Sequence, residues 1–229
     1  MSLRARDIIA TMRGRGFRVA TRPGELNIVG LRADSTAPNR FDDTILVAYT
    51  DAAGRWTLKA WPATTDPGTH WLRQPMSPQG TAILKGNMQY PGVYAVGLHK
   101  GQYEALVQRN GPVTVIRDYD RDAVLDFNNG REATGHFGIN IHRASRTGTS
   151  ATVDRHSAGC QVFADAGDFE EFMALCRAHR DRYGNAFTYT LFDIRALRRG
   201  TRGLVGAGVA AGTLVLAGLA LALAKGGGA

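Results

Sequence analysis

Apolar and polar positions along most of this chain follow the two-residue period of strands, broken by clusters of Gly, Pro, Asn and Asp. Residues 25–32 (ELNIVGLR) and 43–49 (DTILVAY) read as strands, with 34–39 as the loop between them. Residues 56–61 read as another strand, and 62–80, with four Pro and two Gly, as a long irregular loop. Strands follow at 93–98, 105–108 and 113–117, with Asn110-Gly111 as a hairpin turn. Residues 137–142 (FGINIH) alternate cleanly, residues 160–163 are short and apolar, and 187–193 form a last strand. One helix interrupts this texture: Phe169, Phe172, Met173 and Cys176 repeat at i, i+3, i+4, i+7, with Asp168 as its cap and Gly184 just beyond its end. A short helix is expected over 4–13, before Gly14 and Gly16. The pattern predicts a single β-rich domain with one or two helices, of the α+β class, without internal repeats.

Charge changes the picture at the two ends. The chain has 229 residues, 44% hydrophobic and 21% charged, with a net charge of +8. Residues 1–24 carry six Arg against Asp7 alone, and 195–229 carry Arg195, Arg198, Arg199, Arg202 and Lys225 with no acid. The 170 residues between hold 17 basic and 19 acidic side chains, so the body is slightly acidic and no nucleic-acid partner is expected. Residues 1–24 read as a solvated basic arm, 25–194 as the folded domain and 195–202 as a basic linker. Residues 203–224 contain no charge, and as a helix they reach about 33 Å, the thickness of a bilayer core. They read as a transmembrane helix, with Gly208 and Gly212 offering a small-residue contact for a homo-oligomer. The positive flank puts the body on the cytoplasmic side, and no secretory signal is seen at the N-terminus.

Reactive side chains gather between His136 and Cys160. A cysteine attacks as thiolate, so it needs a base and a positive setting. Cys160 follows Ser157-Ala158-Gly159, small residues that permit a tight turn, so the Gly159 and Cys160 amides are candidates for an oxyanion hole. His142 ends the alternating segment, and Arg143 and Arg155 are expected to keep the neighbourhood positive. Cys176, on the apolar helix face, is expected in the core. His136, His142, His156 and Cys160 lack the close pairing of a zinc site, and Asp118, Asp120 and Asp122 fail as a calcium loop because Ala123 and Asn129 stand where Gly and Glu are needed. No metal or cofactor is expected. His70, His99 and His179 read as surface residues. Trp56, Trp61 and Trp71 are expected to pack the N-terminal half.

The spacing of His142, fourteen residues, then Ser157-Ala158-Gly159-Cys160 resembles the signature of the L,D-transpeptidase (YkuD-type) catalytic domain. The strand Gly138-Ile139-Asn140-Ile141-His142 is similar to the one that leads into that family's catalytic histidine. The resemblance covers about residues 90–193 and implies a YkuD-like β-sandwich. It makes Cys160 the nucleophile and His142 its base. Ser157 would shape the turn, Gly159 and Cys160 would supply the oxyanion hole, and the Arg143 carbonyl would orient the imidazole. Asn140, Arg143 and Arg155 are the expected substrate-binding residues. Ala158 departs from the family, which has a second histidine there, and Gln161-Val162 departs from its hydrophobic-then-Asn/Arg pair. The implied activity is acyl transfer on peptidoglycan stem peptides, by cross-linking or by hydrolysis. With a tail anchor and no export signal, the enzyme would be membrane-associated and act at the cell wall through phage or secretion-system delivery. The alternative is a non-catalytic structural or virion protein that retains a vestigial catalytic fold.

Overall fold

The computed structural model describes residues 4–128 and 130–194. The expected basic linker and transmembrane helix at 195–224 lie outside the described residues, and among those described no helix is long and apolar enough to cross a membrane.

In chain order the elements are α1 (Ala5–Gly14), β1 (Asn27–Arg32), β2 (Asp43–Thr50), β3 (Trp56–Thr64), α2 (Thr69–Arg73), β4 (Thr81–Leu84), β5 (Met88–His99), β6 (Tyr103–Gln108), β7 (Val113–Asp118), β8 (Glu132–Gly135), β9 (Ile141–Arg143), β10 (Gln161–Phe163), α3 (Ala166–Tyr183) and β11 (Phe187–Asp193). The protein is mainly β with three helices among the described residues, an α+β arrangement. Eight strands close into a barrel in the order β1-β11-β5-β6-β9-β10-β3-β2, where a sandwich of two sheets was expected, and β4-β7-β8 form a separate three-stranded sheet. Two pairings in the ring are parallel, β1 with β11 and β9 with β10.

The β1–β11 pairing joins Ile28 to Tyr189, so the N-terminal third is an integral part of the barrel. Period-two alternation then sorts side chains onto its two surfaces. Ile28, Ile45, Val47, Tyr189 and Leu191 point into the main core. Val29, Leu31, Leu46, Ala48 and Phe192 point the other way, onto Ile8, Ile9 and Met12 of α1. Residues 5–14 are therefore no solvated arm. Their apolar stripe covers the outside of β1, β2 and β11, which is why β1 is buried at every position.

Other local expectations change for identifiable reasons. The loop expected at 62–80 contains the end of β3 and the whole of α2. Asn110-Gly111 is no hairpin turn, because it links β6 in the barrel to β7 in the other sheet. Asp165 rather than Asp168 caps α3, accepting from the Gly167 and Asp168 amides at 2.7 and 3.1 Å. As expected, Phe169, Phe172, Met173 and Cys176 of α3 enter the core, beside Trp61 and Phe163.

One charged cluster fastens the barrel to the side sheet. Arg32, on the inward face of β1, is fully buried. Its Nε lies 2.8 Å from an Asp66 oxygen, and its Nη2 donates to the carbonyls of Thr65 and Leu84 at 3.1 and 2.8 Å. Asp43 accepts the Ala33 and Thr65 amides at 2.7 and 2.6 Å, and burial beside Asp66 pushes its carboxyl well above the usual range. On the same face, a Cβ on Gly30 would fall 2.0 Å from the Tyr189 hydroxyl. Glycine at position 30 therefore gives that hydroxyl room to reach the Gln161 side-chain oxygen at 2.9 Å, one residue past Cys160.

Candidate functional site

The parallel pairing of β9 and β10 sets Val162 opposite His142 and Gln161 opposite Ile141. Cys160, just before β10, thus falls beside Asn140, just before β9. The Asn140 amide points at the Cys160 Sγ, 3.4 Å away, and the Gln161 amide donates to the Asn140 carbonyl at 2.9 Å. Cys160 and His142 line one cleft of about 510 Å³. Residues 137–140, expected as a strand, are not part of a ladder, because Gly138 sits at φ +69°. Instead the Gln108 side-chain oxygen accepts the Phe137 and Ile139 amides at 3.0 and 3.2 Å and holds this segment in place.

The Ser157–Cys160 turn is tied internally. Ser157 donates through Oγ to the Cys160 carbonyl at 2.8 Å and accepts the Gly159 amide at 3.1 Å. Gly159 has φ +122°, and its α-carbon faces the Ala82 carbonyl of β4. Because Ser157 engages the Gly159 amide, the two-amide oxyanion hole expected from the sequence reduces to the Cys160 amide.

Hydrogen-bond partners dictate the tautomers of two histidines. His142 Nδ1 lies 2.8 Å from the Arg143 carbonyl, which can only accept, so Nδ1 carries the proton and Nε2 keeps a lone pair. The His99 ring, at the end of β5, stacks on His142 with centroids 4.1 Å apart. The Gln108 amide donates to Asn140 Oδ1 at 2.9 Å, which leaves the Asn140 NH₂ to donate to His99 Nδ1 at 3.0 Å. His99 therefore carries its proton on Nε2. One imidazole is a base and its stacked neighbour is a neutral donor.

Burial pushes His142 down to about 3, with His99 opposing a second charge, and burial pushes His99 down to about 4. Burial also raises the Cys160 thiol, with the Asn140 amide and Lys100 pulling weakly the other way. The positive setting expected from Arg143 and Arg155 does not dominate here. The Arg143 guanidinium is spent on the Tyr103 ring, 4.3 Å away. At rest the Cys160 thiol donates toward the Gly138 carbonyl, 3.6 Å away, and His142 is a neutral imidazole in the same cleft, so the thiol has to turn and its proton to move during attack.

A stability test follows from these values. His142 titrates near 6.5 when unfolded and near 3 when folded, so the unfolded chain binds more protons between those limits. Its contribution is complete above pH 6.5 and is lost as pH falls. His142→Phe is therefore expected to gain on the parent by roughly 3 kcal/mol between pH 7 and pH 4, read from urea midpoints. Asp118, raised to about 6 by burial, has the opposite slope in both proteins and cancels in the difference. A constant difference across that range would show that His142 protonates freely in the fold.

Of the expected substrate contacts, Arg155 and Asn140 line the cleft, but the Asn140 side chain is occupied in bracing His99. Arg143 contributes its carbonyl and a stack on Tyr103. His99 and His179 are buried rather than at the surface; His179 Nδ1 accepts the Leu26 amide at 3.1 Å. Trp71 sits at the cleft wall rather than in a core, its Nε1 donating to the Arg155 carbonyl at 3.1 Å. His99, Lys100, Arg117 and Trp71 carry no spacing signal that ties them to Cys160, because they join the cleft from β5, β7 and α2. Among the described residues no group of three or more His, Cys, Asp and Glu is placed to hold a metal ion. No protein-family model, curated protein or solved structure matches the chain.

Proposed function

We propose that the protein is a cysteine acyltransferase of the L,D-transpeptidase type, acting on peptidoglycan stem peptides. The observation that carries this reading is the placement of Cys160 and His142 on adjacent parallel strand ends in one cleft, with His142 Nδ1 bound to the Arg143 carbonyl and Nε2 left as the base. Sγ adds to the substrate carbonyl as its proton passes to His142 Nε2. In this reading the Cys160 amide and the His99 Nε2–H serve as donors to the developing oxyanion. Collapse breaks the amide, the proton on His142 leaves with the amine, and a thioester remains on Cys160. An amine or water then attacks the thioester, giving its proton to His142 and restoring the thiol. Ala158 leaves the position of the family's second histidine empty of donors, and His99 brings an imidazole to the cleft from another strand. The closed barrel is taken as a variant of the YkuD-type architecture, with the side sheet covering the Cys160 turn through Ala82.

The test is to incubate the full chain with diaminopimelate-type peptidoglycan and follow both partners by mass spectrometry. Expected are cross-linked or shortened stems and a protein mass increased by an acyl fragment at Cys160. Unchanged muropeptides and unmodified protein, across several wall chemotypes, would favour the scaffold reading that Ala158 and the raised thiol motivate.

A further inference from the structure

The cleft is charged on one side of the ledger only. Lys100, Arg117 and Arg155 line it, together with His99, His142 and His156, and no Asp or Glu does so among the described residues. The body as a whole is slightly acidic, so this imbalance is local.

Arg117 is the informative member. It extends from β7, opposite Ala82 of β4, the residue whose carbonyl abuts Gly159 beside the nucleophile. Its Nη1 donates to the Gly80 carbonyl at 3.1 Å, and its guanidinium lies 4.8 Å from the centre of the Phe137 ring. Gly80 and Phe137 both line the cleft, so the guanidinium is clamped in its wall. Nε is buried without a partner, and no ion pair joins Arg117 to a carboxylate among the described residues. Burial alone acts on its charge and lowers its pKa. The guanidinium as a whole is half-buried and has no carboxylate partner among the described residues, so its accessible N–H groups are open to an anion in the cleft. Arg presents a planar fork of donors that suits a carboxylate. Trp71, Met76 and Ile139 add apolar wall to the same cleft, a combination that suits a peptide better than a free ion.

We propose that Arg117, with Lys100 and Arg155 at the rim, is a carboxylate-recognition subsite, and that the cleft takes peptides carrying a free carboxylate close to the carbonyl that Cys160 attacks. The position of that carbonyl rests on the acyl-transfer reading above; the carboxylate preference does not. The site would discriminate between wall chemotypes with free and amidated stem carboxylates.

The experiment measures binding without turnover. Full-length Cys160→Ala protein is titrated, by calorimetry, with a synthetic stem peptide whose carboxylates are free and with the same peptide fully amidated. The free acid is expected to bind at least about tenfold more tightly, and Arg117→Gln to reduce that ratio to under about threefold. Arg117→Lys, which keeps the charge, is expected to retain an intermediate ratio, and it serves if Arg117→Gln fails to fold. Equal affinity for acid and amide overturns the subsite. So does a ratio that survives in a folded Arg117→Gln protein. Displacement of both peptides by inorganic phosphate, with the same dependence on Arg117, would make this a general anion site and also overturn it. A carboxylate-dependent affinity in a protein that shows no Cys160 chemistry would sink the acyl-transfer reading and leave the subsite standing.

Discussion

Cys160→Ala is expected to abolish product formation on peptidoglycan, and His142→Ala to bring the rate within a small factor of the same floor. The pair works as one unit, because the thiol is uncharged at rest and gains nucleophilicity only as His142 accepts its proton. Groups that act as a unit lose nearly everything when either is removed, so each single change is expected to cost about 10³-fold or more, and the double variant little beyond that. The pH profile separates this from a folding defect. Without the base, only thiolate formed in solution can react, so the His142→Ala rate is expected to climb about tenfold per pH unit until the raised thiol pKa is reached. The parent should be far flatter over the same range. Residual activity of His142→Ala near that of the parent at neutral pH would remove the base from the mechanism.

The largest effect on stability is expected at Gly159, next to the nucleophile. Its φ of +122° is a conformation that side-chain-bearing residues rarely adopt, and a Cβ there would lie 2.1 Å from the Ala82 carbonyl oxygen. That oxygen is backbone, held in β4 against β7 by the Ala82–Arg117 pairing, so it has no rotamer by which to retreat. Gly159→Ala is expected to destabilise the protein by roughly 3–5 kcal/mol, combining backbone strain with overpacking. Gly148→Ala is the control: it also has positive φ (+66°), but a Cβ there meets nothing within 4 Å. Its expected cost is about 1 kcal/mol. Matching urea midpoints for the two variants would mean that the turn under β4 moves aside freely.

Several features of the fold and site can be read from the sequence because they depend on neighbours along the chain. The apolar spacing of Phe169, Phe172, Met173 and Cys176 identifies α3 and its buried face, since a helix folds its own i+3 and i+4 positions onto one side. The strands at 43–50 and 187–193 show in their β-branched and aromatic runs. The Ser157–Cys160 turn and the contact of His142 with its neighbour's carbonyl are likewise local: the small residues before Cys160 point to the first, and the resemblance to the L,D-transpeptidase signature implies the second. The cap of α3 is misread by three residues because either aspartate is a suitable cap by residue type, and only the backbone, which turns helical directly after Asp165, selects it.

What the chain pattern alone determines is thus the strand-rich class, the main helix, and the candidate nucleophile and base. Tertiary structure decides the rest. Whether residues 5–14 form an arm or a covering helix depends on a sheet face made by β1, β2 and β11, the last of them more than 170 residues away in sequence. That ring closure also delivers Tyr189 to Gln161. The stack of His99 on His142 requires β5 and β9 to flank β6, and Arg117 reaches the cleft from a second sheet. Proton positions follow the same rule: which nitrogen of His99 is a donor is set by Asn140, which is far from it in sequence and is itself oriented by Gln108. Residue types advertise what chemistry is available. Desolvation and hydrogen-bond direction, which choose among the uses, exist only once distant segments are packed together.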